Sequence, residues 1–179
     1  VPGDIAIAST ETIKTHKPPG EVAIRLIHAV VKTPFTQLCR YIRSHMRAAL
    51  CGLDHLLQNT EQLIMKLRSI RNITADDLIL TGDVSDFFMS GDHATLADSA
   101  ADAVAPSLRP AFRSAVQLLL KHQYGDVNVA SGTAWHVTPG VGMGMSEAGD
   151  LADFAFYMQR KIPFILQKHV AERYNVKLY

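Results

Sequence analysis

The 179-residue chain is 47% apolar and 20% charged, the profile of one ordinary globular domain or most of one, which excludes a disordered polypeptide. Net charge is only +1 but unevenly spread: residues 1–71 hold 10 Lys and Arg against 5 Asp and Glu, residues 72–179 hold 8 against 12. That bias suits either a polyanion track beside a metal-binding centre or ordinary solvated faces.

The chain begins at Val1 in a polar segment, which points to a piece of a longer polypeptide. Residues 14–31 read as two extended pieces joined by a Pro-Pro-Gly turn. From Pro34 the pattern turns helical. Phe35, Leu38, Ile42, Met46, Leu50, Leu53, Leu57, Ile64, Leu67 and Ile70 recur at spacings of three, four or seven. Gly52 and Asp54 divide this into two helices, with Asp54 or Asn59 near the second N-terminus. Arg40, Arg43 and Arg47 fall within about 60° of one another on the first helix, a face suited to a phosphate backbone or equally to plain solvation. Cys39 and Cys51 lie in this region without a CxxC or a histidine at ligand spacing, so reduced thiols are expected and a zinc site is not.

Asp77 to Val84 reads as a short buried strand. Helices follow over Asp92–Val104, with Asp92 as cap, and over Pro106–Tyr124, with Ser107 as cap and Pro110 in the first turn. Val127–Ala130 and Ala134–Thr138, divided by Ser131-Gly132-Thr133, form a hairpin. A Gly-rich turn leads into a helix from about Ser146 to Lys161, Pro163 opens another, and Val176–Tyr179 starts a strand. No run approaches the ~18 apolar residues of a membrane span and no signal peptide opens the sequence, so the expected location is intracellular, nucleus or cytoplasm, with no membrane partner.

The most informative stretch is Leu78-Ile79-Leu80-Thr81-Gly82-Asp83-Val84-Ser85-Asp86-Phe87-Phe88. A buried strand that ends in a carboxylate needs a partner for that charge, and a hard cation such as magnesium prefers oxygen ligands. Phe88, five residues past Asp83, is placed to lie under the sugar of a nucleotide held by the metal. The alternative is a strand ending in a turn, with Asp86 or Asp92 capping the next helix. In the second motif, Pro139-Gly140-Val141-Gly142-Met143-Gly144-Met145-Ser146, three alternate glycines let backbone approach a ligand and expose amides at a helix N-terminus.

In their order, these segments resemble the palm and part of the fingers of reverse transcriptases, most of all those of Penelope-like and related protist retroelements. Ile13-Lys14-Thr15-His16-Lys17 is similar to their Pro-Lys-x-His-Lys segment, Arg25-Leu26-Ile27 to their Arg-Pro-Ile. Asp83 to Phe88 matches the first palm motif, and Gly140 to Ser146 resembles their Gly-x-Pro-Met-Gly-Ser-Pro. The resemblance spans roughly residues 13–157. It implies an α+β fold: a partial polymerase palm, an antiparallel sheet with packed helices, over residues 72–179, and a fingers-like hairpin and helices over residues 1–71. Gly142 and Leu26 depart from the family's prolines, and Met145-Ser146 replace Ser-Pro. No aromatic-x-Asp-Asp follows the second motif, and Asp150 and Asp153 lie in a helix with the wrong spacing to replace it. The chain stops at Tyr179, about where that strand is expected to begin, so truncation is the expected explanation rather than loss of the motif.

The resemblance further implies an RNA-directed DNA polymerase of a mobile element, a nucleotidyltransferase that uses two Mg2+ ions, or Mn2+, roughly 4 Å apart. Asp83 would be the catalytic carboxylate and bridge both ions with help from the Val84 carbonyl. With one of three expected aspartates, the fragment alone should hold metal weakly and be inactive. Lys14, Lys17 and Arg25 would neutralise the triphosphate. Gly142, Met143 and Gly144 would border the incoming base pair. Phe88 would exclude a ribose 2′-hydroxyl, with Phe87 as the core member of the pair because side chains alternate along an extended segment. The implied partners are an RNA template, a DNA primer or RNA/DNA hybrid, and deoxynucleoside triphosphates. Two alternatives remain: a catalytically dead nucleic-acid-binding module on the same scaffold, and an RNA-dependent RNA polymerase, which Phe88 disfavours.

Overall fold

A computed structural model describes residues 7–13, 24–28, 34–53, 56–57, 59–70, 74, 84, 86–128 and 133–161. In chain order the elements are β1 (Ile7–Ile13), β2 (Ile24–His28), α1 (Thr36–Cys51), α2 (Thr60–Ser69), a 3-10 turn (Phe87–Met89), α3 (His93–Ala101), α4 (Arg109–Lys121), β3 (Gln123–Asn128), β4 (Thr133–His136), α5 (Ala148–Phe156) and a π turn (Tyr157–Lys161).

The helices follow the apolar spacing. On α1, Cys39, Ile42, Met46 and Leu50 are buried, and Gly52 ends the helix. On α4, Phe112, Val116, Leu119 and Leu120 repeat the pattern, with Pro110 in the first turn where its missing N–H has no intrahelical partner to lose. Asp92 caps α3 by accepting from Thr95 N at 2.9 Å. Asn59 caps α2 by accepting from Gln62 N at 2.9 Å. Both caps sit where the sequence puts them. Ser107 does not cap α4, which starts two residues later at Arg109 behind Leu108.

One buried cluster unites α1, α3, α4, α5 and Val141 and Met145 of the glycine turn. It therefore joins residues on both sides of the boundary expected near residue 71. Helix α2 contributes no buried residue: Ile64 and Leu67, expected to continue the α1 stripe, are exposed along with Met65. Met65 of α2 lines a cleft shared with Leu50 and Cys51 at the end of α1. Cys39 is buried and Cys51 exposed, and neither is in a disulfide.

The expected α+β palm is corrected here. The described residues are mostly helical, and the interior is helix against helix rather than helix against an antiparallel sheet. The strands form a small mixed ribbon in the order β2-β1-β3-β4, in which β1 runs parallel to β3. The physical reason lies in their sequences. IASTETI, QYGDVN and TAWH lack the sustained alternation of apolar residues that a core-forming sheet face requires, whereas the helices carry it. Of the N-terminal extended pair, β2 falls within the expected residues 14–31 and β1 lies ahead of them, with Ile13 of β1 opposite Ile24 of β2. The strand expected at 77–84 lies outside the described residues apart from Val84, as do the elements expected after Pro163. No helix among the described residues is long and apolar enough to cross a membrane.

Candidate functional site

The two motifs singled out in the sequence meet in space. Val141 N donates to Phe88 O at 2.6 Å, Gly140 N donates to Gly91 O at 2.8 Å, and Asp92 and Pro139 form an isolated antiparallel bridge. The glycine turn thus runs alongside the segment that follows the strand-end carboxylate. Its close approach depends on Gly140, which has φ +73°. A Cβ there would collide with Phe88 O and the backbone of Met89. Gly144, with φ +97°, is the second left-handed glycine of the turn.

Gln123 locks the turn from below. It is fully buried at the start of β3, two residues past α4. Its Nε2 donates to Leu120 O at 3.0 Å and Gly140 O at 3.4 Å, and its Oε1 accepts from Gly142 N. One amide side chain therefore satisfies buried backbone groups on both sides of the turn. The signal for it was present in the sequence: Gln123 continues the apolar stripe Phe112, Val116, Leu119, Leu120 at helical spacing, and a polar residue on a buried stripe needs partners.

Phe87 and Phe88 do not divide as alternation implies: both are half-buried and line the same cleft, and Phe88 rather than Phe87 packs against the core. The segment is a 3-10 turn rather than extended, so alternation does not govern it. Phe88 packs against the central core. Phe87 meets Phe88 edge-on at 5.4 Å and Phe156 at 6.0 Å. Val84, Phe87, Phe88, Val141, Ala152 and Phe156 line part of a cleft of about 140 Å3. That volume is well below what a nucleotide-sized ligand occupies. Asp86 enters the turn with φ +49°, and its carbonyl accepts from Met89 N at 2.9 Å; its side chain caps nothing. The capping role offered to Asp86 or Asp92 falls to Asp92.

Of the remaining expected site residues, Gly142 is buried, Met143 half-buried and Gly144 exposed. Arg25 lies in β2 opposite Thr12. Asp83, Lys14 and Lys17 lie outside the described residues. Among the described residues, no group of three or more His, Cys, Asp or Glu is placed to hold a metal ion, so the implied magnesium site finds no ligand set there.

The arginine face of α1 is real, but it is partly spoken for. Arg47 Nε donates to Asp150 Oδ2 at 3.3 Å, and Arg43 Nε lies 3.6 Å from the same oxygen. Asp150 is therefore the counter-ion of two arginines, while Arg40 stays exposed. One turn earlier, Glu147 is fully buried. It accepts from Ser146 Oγ at 3.0 Å, and burial pushes its carboxyl group above the usual range. Burial likewise raises the Cys39 thiol, foremost, with the neighbouring carboxylate acting in the same direction. Sequence reasoning named Asp150 only to set it aside as a metal ligand and did not single out Glu147, which shares a buried stripe with Leu151 and Phe154 at spacings of four and three.

No protein-family model, curated protein or solved structure matches this chain.

Proposed function

We propose that the chain is part of an RNA-directed DNA polymerase of a mobile element, with Asp83 as its catalytic carboxylate and Phe88 as the residue that selects deoxyribose. The supporting observation is the seam between the two motifs: the Val141–Phe88 and Gly140–Gly91 hydrogen bonds put the residue expected to sense the sugar beside the turn expected to border the base pair. Magnesium, when bound, would supply charge stabilisation at the attacking and leaving oxygens of nucleotidyl transfer. The chain's own contribution at this site is positional: Gly140 permits the approach, Gln123 fixes the turn, and core contacts hold the Phe88 backbone against it.

The test is primer extension on an RNA template by the full-length polypeptide. Asp83→Asn should abolish extension while leaving the folded state intact. Phe88→Val should raise ribonucleotide incorporation relative to deoxyribonucleotide incorporation. The ratio is the readout, because Phe88 also packs in the core and its loss lowers stability as well. Unchanged sugar preference would reject the assignment of Phe88. Retained nucleic-acid binding without any synthesis by the wild type would favour a non-catalytic binding module. Binding should then weaken steeply with salt.

A further inference from the structure

We propose that Glu147 is a proton-operated latch that holds the start of α5, and with it the glycine turn, against α1. This rests on packing alone and stands whether or not the polymerase reading does. Glu147 is 0% exposed, immediately ahead of α5, and faces the buried Cys39 of α1. Ser146 Oγ donates to Oε2, yet Oε1 has no hydrogen-bond partner. The donated hydrogen bond favours the anion, but a single such bond and an orphaned oxygen at a fully buried site leave the charge too poorly solvated, so the neutral carboxyl group is preferred.

The surrounding charges do not supply a counter-ion that reverses this. From α1, Arg43 favours the ionised form, but its Nε is itself buried without a hydrogen bond and sits at ion-pair distance from Asp150 rather than committed to Glu147. Arg47 donates to Asp150 as well. On α3, Asp98 and Asp102 pair with Arg113 and Arg109 of α4, and the neighbours of His93 are Gly140, His136, Asp92 and Lys121. The Phe87–Met89 turn carries no ionisable side chain, and Tyr157 packs against Phe154 at 6.4 Å.

The direction follows from linkage. Burial raises the carboxyl group in the folded state, so its contribution is complete below the unfolded value and is lost as pH rises through the folded one. Swinging the start of α5 away from α1 exposes Glu147 to water without unfolding α4, so local opening is the cheaper response to alkali.

Hydrogen exchange tests this. The Leu151 amide donates to Glu147 O at 2.8 Å and reports the first turn of α5, while the fully buried Leu119 on α4 reports the rest of the core. Between about pH 5 and about pH 9, a span that brackets a raised carboxyl group, protection at Leu151 relative to Leu119 should fall with rising pH by up to roughly tenfold per unit, the ceiling for one proton. Glu147→Gln should flatten that fall. Arg43→Gln, at a half-exposed position that tolerates change, should move its onset to higher pH because a charge favouring ionisation is gone. A wild-type ratio constant with pH would overturn the proposal. So would an equal fall in Glu147→Gln, or, where that variant does not fold, an onset unmoved or lowered in Arg43→Gln.

Discussion

Gly140 and Gln123 carry the junction on which the functional reading depends. Gly140→Ala combines a left-handed backbone with collision against Phe88 O and Met89. It should cost about 2–4 kcal/mol, toward the severe end for single substitutions, measured by urea denaturation. Gln123→Leu keeps the apolar volume but strands the buried Gly142 N–H. A loss of about 1–3 kcal/mol is expected, with the pre-transition spectrum of the native state retained. Both positions were partly legible beforehand. The glycine cluster announced a close backbone approach, but no rule of spacing said which backbone it approaches. Gln123 stood out only as a polar residue on an apolar stripe. The placement of Phe87 and Phe88 turned on local conformation: the sequence suggested an extended segment, and the 3-10 turn lets both rings line one cleft while Phe88 also packs against the core.

Helices were the most legible elements here because caps and periodicity act within a few residues. Asn59 and Asp92 both accept the third amide of their helices, as their sequence positions imply. Asn59→Ala should cost about 1 kcal/mol at most, and less if α2 frays independently, as followed by helical ellipticity. Asp92 is set apart by its charge. The Thr95 hydroxyl, foremost, and its amide hold the Asp92 carboxyl below the usual range. A depressed folded value means its stabilising effect is present above the unfolded value and is lost as pH falls through the folded one. Acid should therefore loosen the first turn of α3, and Asp92→Asn, which keeps a capping oxygen, should reduce that sensitivity when amide exchange at Thr95 is followed. The ribbon β2-β1-β3-β4 was less legible. Its β1–β3 pairing joins residues more than a hundred positions apart, and nothing local encodes such a contact.

The molecule as a whole is organised by the packing of α1 against α4 and α5, and α2 stands apart from it. Leu119→Ala should lower stability by about 2–5 kcal/mol, because Leu119 is fully buried in the shared cluster. Ile64→Ala should change it by about 0.5 kcal/mol or less, since the side chain is exposed on α2. Comparable losses at both positions would show that α2 is packed in solution after all. The expected sheet-based interior gave way to a helical one in which the apolar residues spaced three and four apart on α1, α4 and α5 are buried in one cluster. Composition, helix positions, caps and the two motifs were set by the chain's own order, because propensity, periodicity and glycine's freedom operate over neighbouring residues. Which helix shares a core with which, the seam between Phe88 and Val141, the pairing of Asp150 with two arginines and the burial of Glu147 were decided only by the tertiary structure. Each depends on the relative placement of elements distant in sequence, and burial, not residue type, sets what a carboxylate or an amide must do there.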